Sequence, residues 1–185
     1  ETESETVSFT PVGSSFRRGD VNDDGTLDLS DPENPEVLGE LKILGYSAYL
    51  HPVGDGLLLG VGQDATEEGR TLGTQISLFD VSDLANPERI YNYTLDDGYS
   101  SVEYDHRAFL HWPETGLTVI PVQSWTWDEE TETESGFSGA IALEATRDGI
   151  EEIGRITHGK DTEGEEFWWA PAIERSLVIG DSLYT

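Results

Sequence analysis

The chain has 185 residues, no cysteine, and 38 acidic side chains against 10 basic ones, for a formal charge of −28. That balance repels nucleic acid, and the absence of thiols excludes a disulfide framework and thiol chemistry. No apolar run approaches the ~18–20 residues of a membrane-spanning helix. The first residue is Glu1, with neither an initiator Met nor a signal peptide, which suggests a processed or partial product. Only Lys42 and Lys160 are lysines, and the acids are spread along the whole chain rather than gathered in a tail. Such a surface is similar to those of proteins from salt-loving microbes, where concentrated salt screens self-repulsion.

Residues 1–19 form an acidic, poorly patterned lead. Residues 20–31 then read Asp-Val-Asn-Asp-Asp-Gly-Thr-Leu-Asp-Leu-Ser-Asp. Side-chain oxygens fall at loop positions 1, 3, 5, 9 and 12, with Gly25 at the sharp turn. Asp20, Asn22, Asp24, Asp28 and Asp31, with the Thr26 carbonyl, thus form a candidate calcium site, because a hard cation needs six to eight converging oxygens. The loop resembles the EF-hand-like calcium loops of dockerin modules. It departs from them in having one copy, followed by Pro32-Glu33-Asn34-Pro35 instead of a helix. The plainer alternative is an Asp/Asn/Gly turn leading into a strand.

From residue 27 onward the chain repeats. Ala48-Tyr49-Leu50-His51 with Gly56-Leu57-Leu58-Leu59 recurs sixty residues later as Ala108-Phe109-Leu110-His111 with Gly116-Leu117-Thr118-Val119. A weaker third copy places Trp168-Trp169-Ala170-Pro171 and Ser176-Leu177-Val178-Ile179 in that register. Leu27-Asp28-Leu29-Ser30-Asp31 and Asn34-Pro35-Glu36 recur after fifty-two residues as Phe79-Asp80-Val81-Ser82-Asp83 and Asn86-Pro87-Glu88. Ile141-Ala142-Leu143 aligns with Ile76-Ser77-Leu78 at an offset of sixty-five.

Each unit reads as four short strands, near 47–51, 57–62, 74–81 and 88–95 in the first full copy, separated by Gly, Pro, Asn and Asp turns. The expected fold is all-β, with β-propeller blades of four antiparallel strands. The partial propeller spans 27–185: a blade end at 27–46, blades at 47–95 and 106–157, and a blade start at 167–185. About three blades do not close a ring, so the remaining blades or self-association should cover the open edges.

Candidate chemistry is sparse. His51 and His111 hold the same repeat position and could face a common axis and share a transition metal, or simply be repeated packing residues. Asp105-His106 are adjacent in sequence, and neighbours in a strand point to opposite faces, so they do not make a ready dyad. No carboxylate pair is marked out among the acids, and no serine nucleophile or phosphate loop is present. Trp125-Thr126-Trp127 would place two indoles on one strand face at the start of an acidic tip, 128–135. That suits a sugar platform or packing between blades, and Trp168-Trp169 carry the same two readings.

Asp28-Leu29-Ser30-Asp31-Pro32-Glu33-Asn34-Pro35, Gly45-Tyr46-Ser47-Ala48-Tyr49-Leu50-His51-Pro52, Leu78-Phe79-Asp80-Val81-Ser82, Asp105-His106-Arg107-Ala108-Phe109 and Leu177-Val178-Ile179-Gly180-Asp181-Ser182-Leu183-Tyr184 resemble a family of secreted bacterial and archaeal proteins. These carry a C-terminal β-propeller distantly related to WD40 repeats. The resemblance implies an extracellular or cell-surface domain and supplies no catalytic residues. The leading expectation is a non-enzymatic domain binding a protein or glycan, with calcium as a structural accessory. The alternatives are a calcium-dependent, dockerin-like adhesion module and a carboxylate-dependent hydrolase.

Overall fold

The computed structural model describes residues 25–28, 33, 36–128, 132–159 and 171–185. Four antiparallel sheets follow one another along the chain. β1 (Gly25–Asp28) pairs with β2 (Glu36–Glu40). β3 (Tyr46–Gly54), β4 (Leu57–Ala65), β5 (Thr71–Asp80) and β6 (Glu88–Asp96) form a four-stranded meander, the first full blade. In the second blade, β9 (Leu117–Asp128), β10 (Thr133–Thr146) and β11 (Gly149–Ile156) run side by side. Two short strands, β7 (Gly98–Tyr99) and β8 (Leu110–Trp112), share the free edge of β9. The hairpin β12 (Leu177–Ile179) to β13 (Ser182–Tyr184) follows. No α-helix occurs among the described residues.

Local chemistry explains these strands. β3 turns into β4 through Asp55-Gly56, both at positive φ (52° and 71°), as a two-residue hairpin loop that matches strand twist demands. β4 is buried along Leu57–Gln63, on both faces, so it reads as a continuous apolar run rather than an alternating one.

The main core lies between the two full blades. Leu59, Val61, Ile76 and Leu78 of the first blade pack with Ile120, Val122, Ile141 and Leu143 of the second, each at most 1% exposed. Burying such a side chain contributes about 1.5–3 kcal/mol. A smaller core joins Val119 and Ala140, on the opposite face of the second blade, to Ile173 and Leu183.

Strand register corrects one sequence alignment. Leu57 pairs with Asp80 and Leu117 with Glu144, so the third strands correspond at an offset of sixty-four, not sixty-five. Ile141 is therefore the counterpart of Ser77, and Leu143 of Phe79. One residue reverses every side chain, because successive residues point to opposite faces. The face that the second blade turns to the first is rich in Ile, Leu and Val. The corresponding face of the first blade instead has Gly60 and Gly62, with Phe79 lying over Gly60: a Cβ there would sit 2.9 Å from its ring.

β12 and β13 are joined by the two-residue turn Gly180-Asp181, as Asp55-Gly56 joins β3 to β4 and Arg147-Asp148 joins β10 to β11.

Candidate binding surface

The first-strand edges of the two blades differ by a seven-residue insert. Gly45-Tyr46-Ser47 recurs as Gly98-Tyr99-Ser100 at an offset of fifty-three, and Tyr46 and Tyr99 pair with the equivalent residues Gln63 and Gln123. Ala48-Tyr49-Leu50-His51 recurs at sixty, so residues 101–107 have no counterpart in the first blade. This insert splits the edge strand into β7 and β8 and folds as two 3-10 turns, Ser101–Glu103 and His106–Ala108.

Each turn is held by side-chain capping. The Ser100 hydroxyl accepts from the Val102 amide while Glu103 accepts from the Ser100 amide at 3.0 Å, a reciprocal capping box. Glu103 also accepts from the Gln63 amide nitrogen at 2.6 Å and from the Tyr46 hydroxyl at 3.2 Å, tying the insert to the first blade. Burial, and then Glu103, raise the pKa of Tyr46. The Ser100 hydroxyl donates to the Pro121 carbonyl at 2.7 Å, and Val102 enters the main core.

Beside the insert lies an aromatic and imidazole cluster. The Tyr49 ring contacts Phe109 at 5.1 Å between centroids and stacks on His106 at 6.4 Å. Its hydroxyl is 2.9 Å from His51 Nδ1, while His111 Nδ1 is 3.0 Å from Thr118 Oγ1. The His51 and His111 rings lie 5.6 Å apart. Their equivalent sequence positions do not give them equivalent directions. A register shift between Pro52 and Gly54 pairs His51 with Leu59, whereas His111 pairs with Thr118, so the two rings meet across the junction between blades. Burial lowers both imidazole pKa values, and for His51 the neighbouring His111 lowers it further. Among the described residues, no group of three or more metal-ligating side chains converges here or elsewhere.

Asp105 does not serve His106. Its Oδ1 accepts from Arg107 Nε at 2.9 Å and its Oδ2 from Arg175 Nη2 at 3.4 Å. Hydrogen bonds from the Arg107 side chain and backbone hold its carboxyl below the usual range.

At the rim where the blades begin, Tyr46, Tyr99 and Trp125 are exposed to 37%, 37% and 46%, and Tyr99 meets Trp125 edge-on at 5.8 Å. Trp125 thus stands on the surface rather than inside a blade junction. Tyr99 donates to Gln123. Sequence reasoning flagged Trp125 but missed the two tyrosines, whose signal was the Gly-Tyr-Ser repeat at fifty-three. Trp168 and Trp169 lie outside the described residues, as do Asp20, Asn22, Asp24 and Asp31 of the calcium-like loop. Thr26 and Asp28 fall in β1.

A family model described as a beta propeller domain matches residues 26–185. The chain is similar to an uncharacterized protein of Methanocaldococcus jannaschii, with 49% identity over 88 residues, covering 48% of this chain and 13% of that protein. It is also similar to an uncharacterized protein of Archaeoglobus fulgidus, with 45% identity over 95 residues, covering 51% of this chain and 14% of that protein. The matched segment is thus about one seventh of each relative's length. No solved structure matches.

Proposed function

Because the chain belongs to the beta propeller domain family, we propose that it is a non-enzymatic, extracytoplasmic interaction domain whose rim of Tyr46, Tyr99 and Trp125 binds a glycan. The exposed Tyr99–Trp125 pair carries this reading. Large aromatic faces left in water suit the flat C–H faces of sugar rings, and Gln123, which accepts from Tyr99 and donates to Ser138 Oγ at 3.3 Å, holds the Tyr99 ring in place. The engagement of Asp105 by two arginines supports binding over hydrolysis, since it leaves His106 without an acid partner at this point. The surface charge and the secreted-family resemblance support placement outside the cytoplasm in a salt-rich setting.

Affinity electrophoresis through gels containing a panel of polysaccharides tests this reading. At least one polymer should retard the chain and fail to retard the Tyr99→Ala/Trp125→Ala variant, with no new reducing ends released. Retardation by none of them, or steady release of reducing ends, contradicts it.

We also propose that a calcium ion held by Asp20, Asn22, Asp24, Asp28, Asp31 and the Thr26 carbonyl pins the start of the propeller. The ligand chemistry of the loop supports this. Calorimetric titration in molar potassium chloride should show stoichiometric binding that the Asp20→Ala/Asp24→Ala variant loses.

A further inference from the structure

We propose that Arg107 and Arg175, gathered on Asp105 beside His106, take the carboxylate of an acidic saccharide, such as one containing uronic acid. The proposal rests on the glycan reading above and adds a second contact point with its own chemistry.

Ten basic side chains serve a chain with 38 acidic ones, yet two of them reach the same carboxylate from different repeat units. Arg107 belongs to the insert of the second blade, and Arg175 precedes the β12–β13 hairpin. Asp105 engages only Nε of one and Nη2 of the other. A guanidinium has five N–H donors in a rigid fork. The arginine side chains are 64% and 54% exposed, and neither makes another hydrogen bond among the described residues. Most of both forks is therefore open to solvent, oriented by a shared carboxylate, and suited to a bidentate anion.

The rest of the molecule decides which anion. Two guanidiniums meet one carboxylate here, with Glu103 and Glu174 close by in sequence, inside a chain of net charge −28. The field of that charge repels every anion, so a short saccharide with few carboxylates and many hydroxyls loses less on approach than a dense polyanion such as nucleic acid or a sulfated polymer. His106, the neighbour of Arg107 in the sequence, is exposed and lies at 26° to the Tyr49 ring with centroids 6.4 Å apart, a flat aromatic surface in the same insert.

Calorimetric titration of the intact chain with trigalacturonic acid, and separately with neutral galactotriose, tests the proposal. The acidic trisaccharide should bind at least tenfold more tightly than the neutral one and weaken as salt rises from 0.15 to 1 M. Arg107→Gln/Arg175→Gln, shown folded by its thermal melt, should lose at least tenfold of that affinity. Arg107→Lys, which keeps the charge and loses the fork, should fall between. Equal affinity for the two sugars, full affinity in the double glutamine variant, or no binding of the acidic sugar overturns it. Sodium acetate competing at the same concentration as the trisaccharide overturns the saccharide assignment. Loss of binding in Tyr99→Ala/Trp125→Ala with no loss in the arginine variant keeps the rim and overturns this site. The reverse pattern supports this site and overturns the rim.

Discussion

The two full blades share a strand plan and differ where each begins. In the first, a single strand, β3, runs from Tyr46 to Gly54. In the second, the same edge is divided between Gly98–Tyr99 and Leu110–Trp112 by seven additional residues. Those residues supply a core side chain in Val102, a cap in Glu103, the half-buried Asp105, and the exposed His106 and Arg107. The comparison shows how a repeat protein acquires chemistry. The hydrogen-bonded ladder is kept, and new side chains enter where a strand can be interrupted without losing its neighbour.

The blades also differ in how they fill their faces, and this predicts the largest mutational effects. Leu78→Ala opens a cavity in the core between blades and should cost about 2–5 kcal/mol in urea-induced unfolding. Gly62→Val, which gives the first blade the residue the second carries as Val122, should destabilise it severely. A Cβ at Gly62 would stand 2.0 Å from the Tyr46 carbonyl oxygen. If that variant unfolds with a wild-type midpoint, the blades are more alike than the structure shows.

Removing the insert's anchor should have a smaller effect. Glu103→Ala strips the capping box and leaves the Gln63 amide, in a residue only 9% exposed, without its acceptor at 2.6 Å. A loss of about 1–3 kcal/mol is expected, measurable as a shift in the same urea transition. Amide exchange should quicken at Val102, whose neighbours are freed.

The imidazole pair gives a pH dependence with a definite sign. His51 and His111 have folded pKa values below the ordinary 6.5, so the neutral rings are the stabilised form. Their contribution is fully present above about pH 7.5, where the histidines of the unfolded chain are neutral as well. It declines as pH falls from there through the lowered folded values, because the unfolded state binds protons first. Denaturation at pH 7.5 and 5.5 should show this loss, and His51→Gln should reduce it. The carboxylates with lowered values, including Asp83 and Asp105, act in a separate and more acidic window.

The smallest effect belongs to the exposed pin between blades. Arg147 bridges the blades by contacting Asp80 and donating to the Asp55 carbonyl at 2.7 Å. Arg147→Ala should lower the melting temperature slightly at low salt and not at all in molar salt.

Much of the strand plan was legible because turn residues and repeats mark it out. Asp55-Gly56 announces the β3–β4 hairpin, and the sixty-residue offset aligns the second strands but leaves the first strands one residue out of register at the histidines. The third-strand alignment failed by one residue because both faces of the central strands are buried. Ile76-Ser77-Leu78 and Ile141-Ala142-Leu143 share one large-small-large pattern, yet their ladders place them one residue apart relative to the second strands. The direction of the histidines was hidden for a related reason. A register shift near Pro52 reverses one ring relative to the other, and nothing in Ala48–His51 records it. The arginine pair was invisible in sequence, since Arg107 and Arg175 lie far apart and belong to different units. The exposed position of Trp125 was open as one of two readings, and burial decided it.

The two blades meet at their first strands through the His51 and His111 rings. Nuclear Overhauser spectroscopy of the folded chain, with its four histidines assigned, measures that contact directly. The ring protons of His51 and His111 should show a mutual cross-peak, as rings with centroids 5.6 Å apart require. Cross-peaks from each imidazole only to residues of its own blade would contradict the junction and the register that produces it.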